Sequence, residues 1–372
     1  MRKITVIAAL AIAFGSTLAQ ATELSTMYRG VRPMGMGGAF TAIADDENAV
    51  FYNPAGLASV KKTELDLINA NGEVSDNIMS LKNDASSLQT GDTVGTTNML
   101  QKYVGKPMHG RFSEFLNLTT TNFEIGAYGQ VTADVAVHTP AYPTTNIDMK
   151  ADAGAIVGLA HTFLDDKLQV GVGGKYIQRR RFVRVLTPAD VVNTSNSTSD
   201  KLQLSGDDLK TSSKIGIDLG AIYNLDSTDF ASSVGLSILN FGDLNFGDYT
   251  YTPTGGTQVT VSNKIPMTIN LGYAASKQFD MFKATFAADY QDLTNNASDD
   301  SDKGKRIHLG AEVKLPYILT LRAGFNQGYM TYGLGINFWI IEVKYAYYQE
   351  EIGGYAGQLV DKRQVAQLII GF

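Results

Sequence analysis

From Arg306 to Phe338 apolar and polar residues trade places at almost every step. Ile307, Leu309, Ala311, Val313 and Leu315 alternate with Arg306, His308, Gly310, Glu312 and Lys314. Leu319, Leu321, Ala323 and Phe325 oppose Thr320, Arg322, Gly324 and Asn326, and Met330, Tyr332, Leu334, Ile336 and Phe338 oppose Thr331, Gly333, Gly335 and Asn337. A period of two sends one set to each face of a strand. Upstream, Phe123, Ile125, Ala127, Val131, Ala133, Val135 and Val137 keep one phase against Glu124, Gln130 and Asp134. Alternation alone admits a half-buried sandwich as well as a barrel.

The connections separate these two. Strands are expected at 62–70, 109–119, 122–139, 145–163, 168–186, 210–225, 230–247, 265–278, 282–293, 305–315, 318–326, 329–337, 340–350 and 363–372. That is about fourteen, an even number, as a bacterial outer-membrane barrel requires. Short connections near Thr120-Thr121, Asp165-Asp166, Ser227-Thr228, Asp280 and Pro316 alternate with long ones at 71–108, 187–209, 248–264, 294–304 and 351–362. With both termini periplasmic, every long loop falls outside and every short turn inside, apart from two short outer turns near 140–144 and 327–328. A sandwich has no reason to keep that parity. The expected fold is all-β, a closed transmembrane antiparallel barrel. In the last strand Ala366, Leu368, Ile370 and Phe372 share a phase, and a terminal aromatic strand resembles the signal read by the outer-membrane assembly machinery.

Composition agrees: only 18% of residues are charged, with 37 Gly, 18 Tyr and 17 Phe, a balance suited to turns and aromatic girdles. A formal net charge of -6 leaves no basic footprint for nucleic acid. With no cysteine there is no disulfide framework and no thiolate metal site. Arg2 and Lys3, the apolar run Ile4 to Phe14 and Ala19-Gln20-Ala21 read as a removed signal peptide over 1–21, with Thr22 opening the mature chain.

Between signal and barrel lies Arg29 to Ser59. It begins with Gly30, Gly35, Gly37, Gly38 and Pro33, continues through an alanine-rich run broken by Asp45, Asp46 and Glu47, and closes on Asn53, Pro54, Ala55 and Gly56. Tight turns and a capped exit suit a compact segment with short helices, too small to bury a core of its own. The stretch MGMGGAFTAIADDENAVFYNPAGLA closely resembles the N-terminal hatch of the FadL-like outer-membrane superfamily, which includes fatty-acid and aromatic-hydrocarbon channels and TraF-like or PorV-like relatives. The resemblance covers about thirty residues directly. It implies that 22–61 is a plug inside a barrel formed by 62–372. An arm packed on another β-domain is the alternative.

After the first expected strand the period changes. Val74, Ile78, Leu81, Ala85 and Leu88 recur at helical spacing, and Met99, Leu100, Tyr103 and Val104 suggest a second short helix. A helical insertion here, over 71–108, resembles the TraF-like branch. Its apolar faces (Val74, Ile78, Leu81, Leu88; Met99, Leu100, Tyr103) either cap the rim or capture a hydrophobic ligand.

Asp45, Asp46 and Glu47 lack the spacing of a calcium loop and suit either a helix end or contacts between plug and wall. His109, His138, His161 and His308 are scattered, without zinc-site spacing. Arg306, His308, Glu312 and Arg322 fall in the polar phase and are expected in the lumen. There the mixed signs suit bonding to a plug better than a selective ring. Arg179, Arg180, Arg181 and Arg184 either meet lipopolysaccharide phosphates or form a solvated strand extension, and the phase blurs between Tyr176 and Val183 as at a bulge. Residues 123–137 keep their phase, which gives no support for the sideways exit through a kinked third strand that the family uses. No cofactor is expected, and no nucleophile motif supports an enzyme. Two readings stand: a channel for small hydrophobic compounds, fatty-acid-like or aromatic, or a non-transporting scaffold in secretion or envelope assembly.

Overall fold

The computed structural model describes residues 23–372 except 90, 197–209, 226–228, 253–256, 299, 301 and 317. The expected signal peptide lies outside the described residues. Fourteen strands close into one antiparallel barrel. They are β1 (Glu64–Ser75), β2 (Pro107–Thr120), β3 (Phe123–His138), β4 (Thr144–Phe163), β5 (Leu168–Leu186), β6 (Lys210–Leu225) and β7 (Ala231–Leu239), then β12 (Thr268–Gln278), β13 (Lys283–Tyr290), β14 (Ile307–Lys314), β15 (Leu319–Asn326), β16 (Tyr329–Phe338), β17 (Ile341–Glu351) and β18 (Val360–Gly371). Four short strands are not part of the wall, and Leu244 and Ile265 among them pack with Met27, Tyr28 and Phe51. β8 (Leu244–Asn245) pairs with β11 (Lys264–Ile265), and β9 (Tyr249–Tyr251) with β10 (Val259–Val261).

The two phases sort as alternation requires. Leu236, Leu271, Phe286, Leu309, Leu321 and Tyr332 are exposed, whereas Asp289, His308, Glu312, Arg322 and Lys344 are buried. An apolar outer belt around a charged interior inverts a soluble protein and is the surface of a barrel that crosses a bilayer. No described helix is long and apolar enough to do so.

Several boundaries differ from the sequence reading. β1 continues to Ser75, so Val74 stands in a strand rather than on a helix, and the insertion begins about five residues later than expected. The β1 ladder also shifts register, between Asp66 and Ile68 against β18 and between Asp66 and Ala70 against β2. An irregularity of this kind reverses the phase, so Asn69 is fully buried while Leu67 is exposed. No such shift occurs in β5, whose ladder with β4 is continuous from Leu168 to Leu186. The blurred phase there arises because Arg179 and Arg181 face inward. The expected strand 230–247 stops at Leu239, where Asn240 and Asp243 take positive φ. β3 pairs without a shift on both sides, matching its unbroken phase.

Helices Asp76–Ser86 and Thr93–Gln101 join Tyr103 in burying Met99 and Leu100 against Met108 and Val137, with Ile78, Leu81, Leu88 and Val135 at the margin. Met108, Val135 and Val137 occupy the outward phase of β2 and β3. The two helices therefore lie against the outer face of the wall, at its long-loop end.

Residues 23–60 are mostly buried and pack against the inner face. The segment holds helices Val31–Gly35 and Ala49–Tyr52 and a 3-10 turn, Pro54–Ser59. Asn53 caps that turn: its side-chain oxygen accepts the Ala55 N–H at 3.1 Å, and its amide donates to the Thr41 carbonyl at 2.8 Å.

Candidate functional site

Glycines on the inner wall decide where the segment can lie. A Cβ at Gly324 would overlap the Gly37 nitrogen and the Met36 carbonyl carbon, and one at Gly310 would overlap Met36. Gly171 and Gly220 leave the same kind of room for Asn53, Pro54 and Ala55, and Gly333 for Gly35. On the segment, Gly37 (φ 65°) and Gly38 (φ 85°) supply a turn that L side chains seldom adopt, tight against Leu309, Phe325 and His308. These wall glycines were overlooked in sequence, although Gly310, Gly324, Gly333 and Gly335 stand in the polar phase. A glycine inside a strand marks close approach of another backbone. Gly324→Val is expected to displace the segment and raise single-channel conductance. Gly129→Ala, with nothing within 4 Å of the added methyl group, should leave conductance unchanged.

Between the slots run ion pairs. The Arg32 guanidinium grips Glu312 with two hydrogen bonds, of 2.9 and 3.0 Å, and also donates to Asp45 at 2.6 Å and Asp46 at 2.8 Å. Arg322 donates to the same Glu312 at 2.7 Å. Lys344 meets Glu47 at 2.7 Å. Thus Glu47 joins segment to wall, whereas Asp45 and Asp46 bind Arg32 within the segment and orient it towards Glu312. At the long-loop end Arg29 bridges Glu23 and Glu350, and Arg363 holds Glu23 and Asp361. Asp289 accepts both the Phe40 and the Thr41 N–H at 2.8 Å. His308 bonds the Gly37 carbonyl through Nδ1 at 2.8 Å.

Arg306 is placed differently. It ends a 3-10 turn, Gly304–Arg306, and reaches Asn295, Asp300 and the Asp302 carbonyl. It therefore ties down the loop 291–306 instead of facing the lumen from a strand, because β14 starts one residue later. In this loop burial acts to raise the Asp300 carboxyl, but the hydrogen bond and charge of Lys305 hold it below its ordinary value of 3.8. Arg179 and Arg181 are likewise inward, paired with Asp152 at 2.7 Å and Asp148 at 2.6 Å. Only Arg180 and Arg184 of that group are exposed. Glu23, His109 and Asp134 bring three potential ligand atoms within 4.8 Å of one another, but Arg29 and Arg363 already hold the Glu23 carboxylate.

A cavity of about 80 Å³ remains between segment and wall. Leu24, Met27, Tyr28, Met34, Phe51 and Tyr52 line it from the segment, and Leu239, Asn270, Gln291 and His308 are among the wall residues. Tyr28 stacks on Phe51 at 4.1 Å, and Phe51 meets the inward-facing Phe115 edge-on at 4.9 Å. The residues expected on helical capture faces do not reach this cavity. They pack among themselves and on the outer wall.

No family model matches the chain, and no curated protein does either. Among solved structures, the Pseudomonas putida toluene transporter TodX aligns over 95% of this chain and 98% of its own, at 12% identity and a TM-score of 0.50. A Pseudomonas aeruginosa FadL homologue aligns over 94% and 99%, at 14% identity and the same TM-score. At such identities the likeness is one of fold, and the chain shares the fold of these two barrels.

Proposed function

We propose that this protein is an outer-membrane channel of a Gram-negative bacterium for small hydrophobic compounds, fatty-acid-like or aromatic, with residues 22–61 as its plug. The observation that carries the reading is the cavity between segment and wall, faced by Met27, Tyr28, Met34 and Phe51. That side suits a ring or acyl chain, while Arg29, Lys175, Asp292 and Glu350 also line the cavity. The fold shared with a toluene transporter and a FadL homologue supports the same reading, as does the hatch-like sequence ending in Asn53-Pro54-Ala55. The charged residues of the lumen serve to hold the plug rather than to select cargo.

Size limits the resting state. An apolar cavity of about 150 Å³ takes up benzene, so about 80 Å³ is too small for a monoaromatic ring. Passage therefore needs the segment to shift. The same small volume is what favours the second reading, a scaffold of the PorV-like or TraF-like kind in secretion or envelope assembly. Leu239→Trp separates the two, because it fills the cavity from the wall and leaves in place the ion pairs of Arg32 and Glu47, which do not line it. In cells whose uptake of radiolabelled toluene or oleate depends on this protein, the variant should lower uptake about tenfold, the loss expected when a ligand of this size loses roughly 1.4 kcal/mol of binding. Unchanged uptake from a normally folded Leu239→Trp barrel would support the scaffold.

A further inference from the structure

The outer wall carries a second hollow, of about 500 Å³, across β2 to β5. Its shape follows from strand register. One row of paired residues runs Phe112, Val131, Ala151, Arg180, and the next runs Glu114, Gly129, Ala153, Gln178. Small side chains in the middle of both rows make a floor. Phe112 and Glu114 form one side, and Gln178 and Arg180 the other.

The charges in this hollow are not alike. The Glu114 carboxylate accepts the Asn69 N–H at 2.7 Å, filling the interruption in the ladder between β1 and β2. Arg180 is exposed and its side chain has no ion pair or hydrogen bond among the described residues. Its neighbours Arg179 and Arg181 are both neutralised on the inner side. Height matters as well. Leu168 opens β5 at the short-turn end. At about 3.3 Å per residue and a tilt of about 40°, Arg180 stands roughly 30 Å above that end, just beyond an apolar belt of about 25 Å. A lone guanidinium at the headgroup level, above an apolar trough, has the geometry of a lipid site.

We propose that the hollow on β2 to β5 binds an anionic lipid of the outer leaflet, with an acyl chain on the Gly129, Ala151 and Ala153 floor and its phosphate on Arg180. A guanidinium offers a phosphate two parallel N–H donors, and Gln178 beside it adds an amide donor. The site is independent of any cargo in the lumen.

The test is native mass spectrometry of the detergent-solubilised barrel, titrated with phosphatidic acid and with diacylglycerol of the same chains. The wild-type protein should retain one phosphatidic acid at least tenfold more tightly than diacylglycerol. Arg180→Gln should abolish that preference, and Ala153→Phe, which fills the floor, should weaken both lipids. Each variant alters an outward side chain, and heat-modifiable migration on a gel checks folding. An unchanged preference in Arg180→Gln overturns the phosphate contact. Unchanged retention in Ala153→Phe, or in Gly129→Val should the first not fold, overturns the trough.

Discussion

Deletion of residues 22–58 should leave a heat-modifiable barrel whose single-channel conductance in planar bilayers exceeds that of the intact protein by about tenfold or more. Barrels of eight strands are filled by their own side chains and those of sixteen to eighteen leave a water channel, so fourteen strands leave room that something must fill. Here the filling is the segment itself, which occupies slots over Gly171, Gly220, Gly310 and Gly324. The barrel should survive the loss. Glu312 keeps Arg322, Lys344 keeps Glu342, and Glu73 keeps Arg111, while water entering the lumen solvates whatever remains unpaired. A truncated barrel that folds yet conducts no more than the intact one would show that the segment is not the obstruction.

The second large effect is expected at Arg32. Arg32 is 5% exposed, and its guanidinium holds Glu312, Asp45 and Asp46 together. Removing one partner from such a buried cluster costs about 3–5 kcal/mol, because the other charges are left without it. That cost falls on docking of the segment rather than on the strand ladder. Arg32→Met should therefore shift the docked and undocked populations by about two to four orders of magnitude. Frequent open bursts are the expected record, with a barrel that still migrates as folded. Arg32→Lys, which keeps the charge but loses the two-pronged grip on Glu312, should fall between. Silent traces from a folded Arg32→Met protein would mean that the glycine slots alone retain the segment.

The wall was legible in the sequence because alternation and loop parity are properties of the strands themselves. Strand number, the inward set at His308, Glu312 and Arg322, and the unbroken β3 followed directly. What escaped depends on partners distant in sequence. The β1 irregularity near Asn69 is fixed by pairing with β2 and β18, and nothing in residues 62–70 announces it. Arg306 read as a lumen residue because it continues the β14 alternation, yet the chain leaves the strand just before Ile307. Val74 continued a helical period by coincidence while the strand persisted to Ser75. The helical faces at Ile78, Leu81, Met99 and Leu100 were visible, but not the surface they cover, since Met108, Val135 and Val137 look like ordinary membrane-facing residues. For the candidate site, the acidic run suggested contact with a wall, but only Glu47 makes it, to Lys344, while Asp45 and Asp46 bind Arg32 of their own segment.

The segment inside the barrel is not electrically neutral. Over the buried residues 23–60, Glu23, Asp45, Asp46 and Glu47 outnumber Arg29 and Arg32, so with all six ionised this stretch carries an excess of two negative charges. An elementary charge crossing a potential of 100 mV changes in energy by about 2.3 kcal/mol, and two such charges by roughly 5 kcal/mol. That is comparable to the cost of breaking the Arg32 cluster. An applied voltage should then act as a lever on the segment: one polarity draws it out of its slots and the other presses it in. Current through the intact protein should rectify, with openings concentrated on the branch that pulls the segment towards the positive compartment.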